Sequence, residues 1–415
     1  MKRVNIFLCA VIIVFAALQS CGRATPVSIT GGSSYKYAII STGQDKCYDN
    51  AESITCPRTG EAFYGQDGEF SARKFSYNKN DDGTVTDNNT GLIWQRTMGS
   101  RMSWDDAVAN ASTIAIAGRS DWRVPTVKEL YSLINFTGKS GATASDSIPY
   151  LDTNNFEFIY GDTAAGESLI DSPDWTSTQY VSTTMNGAAT VFGVNFADGT
   201  IKGYPKLSPD GSGTPNMLYV RYVRGRTDYG INEFVDNGNG TITDNATGLM
   251  WAKDDSGSGM NWEAALAYCM GLGLVGNQDW RVPNAKELQS IVDYGRSPDT
   301  TNSAAIDPVF NSTPITNEAG NPDYAYYWTG TTHLDGPGTE GGGSAVYIAF
   351  GRALGFVETP PGSGNYAILD VHGAGSQRSD PKVGDPASYP HGFGPQGDVI
   401  RIDNFVRCVR GGESY

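Results

Sequence analysis

Apolar residues in this chain fall into short alternating runs rather than long helical stripes, and most of the runs occur twice. TVTDNNTGLIW at 84–94 and TITDNATGLMW at 241–251 follow the turn signals Asp-Gly and Asn-Gly, which predicts β-hairpins. After each hairpin, apolar residues at helical spacing predict a helix, over 104–115 and over 262–270. The chain therefore begins the same local structure at two places.

A second helix is predicted after each of two identical DWRVP pentapeptides. Thr126 and Asn284 follow the pentapeptides directly, and each stands three residues before a glutamate, Glu129 or Glu287. This spacing is typical of a capping box, in which the first side chain and the glutamate bond each other's backbone N–H groups. The two helices are thus predicted to begin in the same way.

The order of the blocks is the same in both halves, so the chain contains two copies of one module. The copies close with VRYVRG at 220–225 and VRCVRG, alternating strands whose basic residues we expect on one face. We place the modules at 71–226 and 233–415, after an N-terminal segment at 21–70. With 51 glycines and 20 prolines, the predicted class is α+β and loop-rich. Each module should hold two helices and short antiparallel strands.

Residues 1–20 are typical of an export signal, with a basic start and an apolar run from Ile6 to Leu18 that is too short for a membrane span. The LQSC motif that ends at Cys21 resembles the lipobox of bacterial lipoproteins, in which the cysteine carries the lipid. An ordinary secretory signal is the alternative. The lipobox predicts a lipid-anchored protein of the bacterial cell envelope. Because no aspartate follows Cys21, we expect it at the outer membrane or cell surface.

The chain is acidic, with 30 basic and 45 acidic side chains and a net charge of −15. Such a surface repels polyanions at long range, which argues against nucleic acid as a partner. Contact with a membrane is expected only through the lipid anchor.

Beyond the export signal and the lipid-carrying Cys21, four cysteines remain, and in an oxidising compartment they allow three pairings. In module one, Ala111 and Tyr222 align with Cys269 and Cys408 of module two, so both cysteines are absent together. Partners in a disulfide tend to be lost as a pair, and this one would join the first helix of module two to its last strand. The predicted disulfides are Cys269–Cys408 and Cys47–Cys56.

The ordered series GxxTDxxTGLxW, DWRxPxxxEL, WT and VRxVRG resembles the Lcl C-terminal domain family, over roughly 36–226 and 233–413. That family is named for a bacterial collagen-like adhesin. The resemblance implies a C-type-lectin-like fold, a role in surface adhesion, and glycosaminoglycan-type ligands for the founding adhesin. A disulfide between first helix and last strand is common in that fold. The acidic charge of this chain does not suit a polyanionic ligand, so that ligand is not carried over.

The charged residues and tryptophans of the repeated motifs are interpreted as structural, because a duplicated scaffold is commoner than a duplicated active site. We expect the glutamates to cap helices, and the aspartates and arginines to bond the backbone or each other around a buried tryptophan. RVPTVKEL also resembles formylglycine-generating enzymes, but these need redox-active cysteines, which module one lacks. No catalytic residue is assigned. The structural positions are Trp94, Trp104, Asp121, Trp122, Arg123, Glu129, Trp251, Trp262, Asp279, Trp280, Arg281 and Glu287.

No cofactor or metal site is predicted. NKNDDGTVTD at 78–87 carries oxygen-bearing side chains like a calcium loop, but no glutamate closes it, and a hairpin turn explains it better. Calcium elsewhere is possible for this fold but has no motif in support. The three histidines fit no zinc spacing, and we expect them to be solvated loop residues.

The two copies differ most between Ala353 and Asp403, where module two is much longer. Long loops on a rigid scaffold are usual places for binding, and an insertion without function is the alternative. The candidate ligand residues there and after the WTGT motif are His333, Asp335, Tyr366, Asp370, His372 and His391.

The function predicted from these observations is non-catalytic recognition of a glycan or a surface protein through loops, mainly of module two. A scaffold protein of the envelope without glycan binding is the alternative. An oxidoreductase of the formylglycine-generating type is a distant third.

Overall fold

A computed structural model describes residues 35–70, 73–208, 210–335 and 341–411. The expected export signal and Cys21 lie outside these residues. From Tyr35 onward the chain forms one unit rather than separate bodies for the two modules. No helix within the described ranges is both long enough and apolar enough to cross a membrane.

Module one follows the predicted order of hairpin, two helices and longer strands, with a small hairpin before it in the N-terminal segment. Helix α1 ends four residues earlier than predicted, because Ser112 and Thr113 turn their hydroxyls onto carbonyls of the preceding turn. The elements are β1 Cys47–Tyr48, β2 Ser53–Ile54, β3 Tyr77–Lys79, β4 Thr84–Asp87, β5 Ile93–Gln95, α1 Trp104–Ala111, α2 Val127–Tyr131, β6 Pro173–Thr184, β7 Ala188–Asn195, β8 Thr200–Pro205 and β9 Val223–Arg224.

Module two repeats this order and adds a short helix and two hairpins. Its first helix spans the predicted residues, and both predicted capping boxes are confirmed. The elements are β10 Phe234–Asp236, β11 Thr241–Asp244, β12 Leu249–Ala252, α3 Trp262–Met270, α4 Ala285–Ser290, α5 Pro298–Thr301, β13 Pro314–Thr316, β14 Pro322–Tyr324, β15 Tyr326–His333, β16 Ser344–Ala349, β17 Leu354–Glu358, β18 Tyr366–Asp370, β19 Gln377–Pro381 and β20 Val409–Gly411. The expected mixed, loop-rich class is therefore observed.

The two modules share one six-stranded antiparallel sheet, in the order β15-β16-β19-β8-β7-β6. Strand β19 of module two pairs with β8 of module one through Gln377 and Ile201, so the module boundary runs through the middle of the sheet. The strand order is symmetric about this pair. Helices α2 and α4 pack on β7 and β16, and one hydrophobic core takes residues from both modules, including Leu130 and Leu288. The modules are therefore fused rather than strung together.

Two aligned lysines also join the modules. Lys128 Nζ donates to Ser290 O at 2.6 Å, and Lys286 Nζ donates to Ser132 O at 2.8 Å. Each ammonium group thus lies at the C-terminal end of the other module's second helix, where the helix dipole favours a cation. Burial lowers the pKa of Lys128 to about 8 and that of Lys286 well below its ordinary value.

The N-terminal segment is a strap that contacts both modules. Phe136 N of module one donates to Thr42 O at 2.6 Å. The Gln44 side chain exchanges hydrogen bonds of 2.9 and 2.8 Å with the backbone of Thr332 in module two. Hairpin β1–β2 is closed by the predicted disulfide Cys47–Cys56.

The first helix of each module is fastened to the last strand by different chemistry. In module two, Cys269 of α3 forms the predicted disulfide with Cys408 beside β20. In module one, the hydroxyl of Tyr222 donates to Ala107 O at 3.0 Å and accepts from Asn110 Nδ2 at 3.1 Å, both in α1. The same link is covalent in one copy and hydrogen-bonded in the other.

The repeated DWRVP motif forms a structural network, as expected, but its aspartate and its arginine have separate side-chain partners. Arg123 makes a bidentate pair with Glu129, at 2.6 Å for both bonds, and Asp121 makes one with Arg224, at 2.8 and 2.9 Å. The expected backbone bond is confirmed for the arginine, since Arg123 also donates to Arg226 O at 2.7 Å. The aspartate and the arginine do not bond each other, because Asp121 pairs with the last strand and Arg123 pairs with α2. Module two repeats both pairs, Arg281–Glu287 and Arg410–Asp279.

The basic residues of the closing motifs lie on opposite faces, so the expectation of one basic face is wrong. Arg221 is buried and donates to Arg96 O and Glu157 O, whereas Arg224 reaches the surface beside Asp121. An offset of three residues reverses the face of an extended chain. Arg407 and Arg410 of module two divide in the same way.

A candidate ligand cleft at the module junction

The central strand pair presents different chemistry on its two faces. The Gln377 side chain faces the helices, because the hydroxyl of Tyr131 in α2 donates to its Oε1 at 3.1 Å. Side chains alternate along a strand, so the next residues, Lys202 on β8 and Arg378 on β19, point to the opposite face. Two cations therefore meet at the module junction, on the face of the sheet opposite to α2 and α4.

Two aspartates neutralise these cations. Lys202 Nζ lies 2.7 Å from Asp198 Oδ2. Asp398 accepts hydrogen bonds from Arg378 and, at 2.8 Å, from His372 Nε2. Burial alone would raise the pKa of Asp398, but the charge of Arg378 and the hydrogen bond from His372 outweigh it and hold the pKa well below its ordinary value. Asp398 is therefore ionised at neutral pH and is held in place by two donors.

His333 and His372 are 2% and 3% exposed, so the expectation of solvated loop histidines is wrong for both. His333 ends β15 and packs against Phe136 and Tyr150 of module one, a contact between modules that the local sequence does not reveal. Its Nε2 lies 2.9 Å from Asp198 O. Carbonyl and carboxylate oxygens only accept, so both imidazoles carry their proton on Nε2. Burial lowers the pKa of both histidines.

A cleft of about 310 Å³ opens beside this cluster, and we call it the junction cleft. Module one supplies a tyrosine ring, amide groups and a buried lysine, and module two supplies a histidine and the tip of a turn. The lining residues that matter here are Asp171, Pro173, Asn195, Lys202, Tyr204, Asn216, His372, Pro395 and Gln396.

The cleft exists because the two halves of the sheet carry side chains of different size. In module two, Tyr326 and Tyr347 stack with ring centroids 4.5 Å apart. Trp328 of module two aligns with Trp175 of module one. Tyr347 pairs with Trp328 across the strands, and Gly193 pairs with Trp175 in the same way. Two residues before the tryptophans stand Tyr326 in module two and Pro173 in module one. A β-carbon on Gly193 would come within 2.8 Å of Tyr204, so this ring lies close against the glycine. Module one therefore has one ring where module two has two.

Module two's extra segment is ordered, and part of it covers the cleft. It supplies β19, the strand that joins the modules, and the hairpin β17–β18. Further on, Gly397 N donates to Gly394 O at 3.0 Å, which forms a tight turn with Pro395 and Gln396 at its tip. Asp398 ends this turn and anchors it to the charge cluster. The extra segment therefore folds into strands and turns, and its role in binding stays a prediction.

The other candidate ligand residues lie apart from the cleft lining. Asp370 accepts from the Tyr180 hydroxyl of module one at 2.8 Å, and burial raises its pKa to about 7. Tyr366 and His391 stack on each other at 4.0 Å outside the cleft, and Asp335 is half-buried after β15. Among the six candidates the structure brings only His372 into the cleft lining.

Sequence reasoning missed the module-one side of the cleft. Lys202 and Tyr204 lie on β8, whose partners in the sheet come from both modules, and Asn195 lies on the neighbouring strand β7. One signal could have found them: module one has a glycine, Gly193, at the position where module two has the large side chain of Tyr347. Over the described ranges, no three histidine, cysteine or carboxylate side chains come together as a metal site would require.

The model of the Lcl C-terminal domain matches residues 83–224 and 240–369, which is more than half of the chain. The chain belongs to the Lcl C-terminal domain family. Its domains are associated with bacterial surfaces, and this chain carries two of them in tandem. No curated protein and no solved structure matches it.

The second Lcl C-terminal match stops at residue 369, short of the 413 that the sequence motifs suggested. Strand β19 and the turn at 394–397 lie beyond the matched residues.

Proposed function

We propose that this is an exported, lipid-anchored, non-catalytic surface protein whose two lectin-like modules together recognise a glycan in the junction cleft. The observation that carries the proposal is the cleft itself, which both modules and the extra segment build. Its volume of about 310 Å³ falls at the lower end of the range for small-ligand sites. A compact sugar residue is of suitable size for it.

The chemistry of the lining supports a sugar. Asn195, Asn216 and Gln396 bring amide groups to the cleft, and Tyr204 brings a ring. Amides both donate and accept, as recognition of hydroxyl groups requires. The net charge of −15 favours a neutral sugar over a polyanion.

Binding without catalysis agrees with the fact that the titratable groups at the cleft are held by other side chains. Lys202 and His372 are both held by aspartates, at 2.7 and 2.8 Å. Groups fixed in this way form a preorganised surface, which lowers the entropic cost of binding.

A glycan array with the mature protein tests the proposal. We expect binding to a defined set of glycans. Gln396→Ala should weaken it about fivefold to tenfold, the value of one hydrogen bond of about 1 kcal/mol. Gln396→Trp should abolish it by filling the cleft from the tip of the turn. Tyr268→Ala, which removes an exposed ring from α3, is the control. Absence of binding to every glycan would overturn the proposal.

The anchor and the export route are tested separately. Two disulfides favour an oxidising compartment outside the cytoplasm. Replacing Cys21 by alanine should move the protein from the membrane fraction to the soluble fraction, because Cys21 is the residue proposed to carry the lipid. Retention of the variant in the membrane fraction would contradict lipid anchoring through Cys21.

A further inference from the structure

The segment that covers the junction cleft carries exposed aromatic rings at its base. Tyr366 is 42% exposed and Phe393 is 41% exposed, large fractions for residues of this size. The ring of His391 stacks on Tyr366 with centroids 4.0 Å apart and planes 13° apart. Phe356 meets the same imidazole edge-on at 6.2 Å. We call Tyr366, His391 and Phe393 the aromatic platform.

The platform and the cleft are connected by one rigid turn. Phe393 and Asp398 exchange two backbone hydrogen bonds, of 2.9 and 2.8 Å, which close the base of the turn at 394–397. Phe356 N donates to the carbonyl at the end of this turn at 2.8 Å, which ties it to β17. A chain advances at most about 3.3–3.6 Å per residue, so Phe393 lies at most about 7 Å from the first cleft-lining residue of the tip.

We propose that the aromatic platform is a second subsite, and that the ligand is a chain of neutral sugar residues running from the junction cleft onto the platform. This inference rests on the proposed function. Pyranose rings have flat faces of C–H groups that pack on aromatic rings, while their hydroxyls stay in water. Aromatic side chains supply this contact area with little loss of conformational entropy. A rigid turn fixes the spacing of the two subsites.

The charge near the platform favours a neutral chain. Glu358 stands opposite Tyr366 in the hairpin register, on the same face of the hairpin. Its carboxylate accepts backbone hydrogen bonds from Gly362 and Gly364, which lower its pKa, so it stays negative. A fixed anion beside the rings repels an acidic polysaccharide or an acidic protein surface.

Length ladders of neutral oligosaccharides test the inference. The probes are β1-4-linked glucose, α1-4-linked glucose and β1-4-linked N-acetylglucosamine, from monosaccharide to hexasaccharide, measured by calorimetry on the whole protein. We expect affinity to rise with chain length on one ladder. Tyr366→Ala should remove that rise, with a loss of about tenfold on the longest member for one aromatic contact. It should leave the shortest binding member unchanged, and Tyr366→Phe should bind like the parent protein.

Tyr268→Ala, another exposed tyrosine, is the matched control and should bind every ladder member like the parent. If Tyr366→Ala keeps full affinity for long chains while Gln396→Trp loses it, the platform is not a subsite and the cleft function stands. No binding of any member by the parent protein overturns the second subsite for neutral chains, whereas the cleft function is decided by the glycan array. Tighter binding of oligogalacturonate than of neutral chains overturns the neutral ligand. If Tyr366→Ala melts early, His391→Ala replaces it in the same comparison.

Discussion

Asp174 is a single residue whose chemistry sets part of the pH dependence of stability. Neither of its carboxylate oxygens has a hydrogen-bond partner among the described residues. Burial raises its pKa from 3.8 to about 6, against an opposing pull from Arg221. As pH rises, the unfolded chain loses this proton first and the folded chain later. Stability therefore falls between about pH 4 and pH 6, by about 3 kcal/mol in total.

Asp174→Asn removes this titration and keeps the shape of the side chain. We expect the free energy of unfolding at pH 7.5 to rise by about 1–3 kcal/mol, because no charge is then buried. Arg221 keeps its backbone partners, so its loss of a nearby anion offsets only part of the gain. Urea unfolding of both proteins at pH 5 and pH 7.5 measures this. Asp105→Asn, at an exposed site, is the control. If the variant is less stable at pH 7.5, the attraction between Asp174 and Arg221 outweighs the cost of burying the carboxylate.

The aligned pairs Arg281–Glu287 and Arg123–Glu129 test how the contribution of an ion pair to the free energy of unfolding depends on its burial. Both have the same bidentate geometry, but the arginine side chain is 6% exposed in module two and 27% exposed in module one. Arg281→Met should lower the free energy of unfolding by about 3–5 kcal/mol, since it leaves a buried carboxylate uncompensated. Arg123→Met should cost about 1–3 kcal/mol, because the arginine is partly exposed and its removal lets water reach Glu129, which is itself 1% exposed.

Urea titration followed by tryptophan fluorescence gives both values, and the double variant Arg281→Met/Glu287→Gln is the control. It removes both charges and should recover part of the loss. Equal costs at the two sites would mean that burial does not decide the value of the pair.

The link between first helix and last strand is an element-scale feature that the two modules build differently. The Cys269–Cys408 disulfide closes a loop with a sequence separation of 139. Replacing both cysteines by alanine should lower the free energy of unfolding by about 2–5 kcal/mol, since the unfolded chain gains freedom. In module one, Tyr222→Phe removes only a hydroxyl and should cost about 0.5–1.5 kcal/mol.

Thermal melts with and without reductant measure the disulfide effect, and the Cys47–Cys56 double alanine variant separates the two bridges. That bridge spans only nine residues, so its loss should cost less. A double alanine variant at 269 and 408 that melts like the parent under oxidising conditions would show that helix packing alone holds the strand.

Elements that are determined by residues close in sequence could be predicted from the sequence alone. Both capping boxes need only four consecutive residues, and α3 carries its own apolar spacing. Strand β19 could not be predicted in its role, because its neighbours β16 and β8 lie on different modules and far away in sequence. The cleft could not be predicted for the same reason, since its walls come from strands that only the shared sheet brings together.

At the scale of the whole molecule, the sequence shows two copies of a module but not their fusion. One residue pair could have indicated it, because Lys128 and Lys286 occupy the same position in the two copies. A long charged side chain at an aligned position that is buried in both modules points to a shared partner. Here each lysine finds it in the other module's helix.

The shared sheet leads to a prediction about the modules as fragments. Residues 35–229 and 230–415 would each keep three strands of the sheet and expose β8 or β19 as an unpaired edge. Each would also expose its half of the common core. We expect neither fragment alone to unfold cooperatively, and a mixture of the two to regain one cooperative melt with native tryptophan fluorescence. Each disulfide lies within one fragment, so both can form before mixing.

Recombination should depend on the contacts between modules rather than on the fold of either half. Fragments carrying Lys286→Ala should associate more weakly, because Ser132 O loses its donor at a buried helix end. An exposed change in the second fragment, Tyr268→Ala, should leave association unchanged. Calorimetric melts of each fragment and of the mixture decide the matter. If residues 35–229 melt cooperatively alone, module one is an independent fold and the shared core is a docking surface between two finished domains.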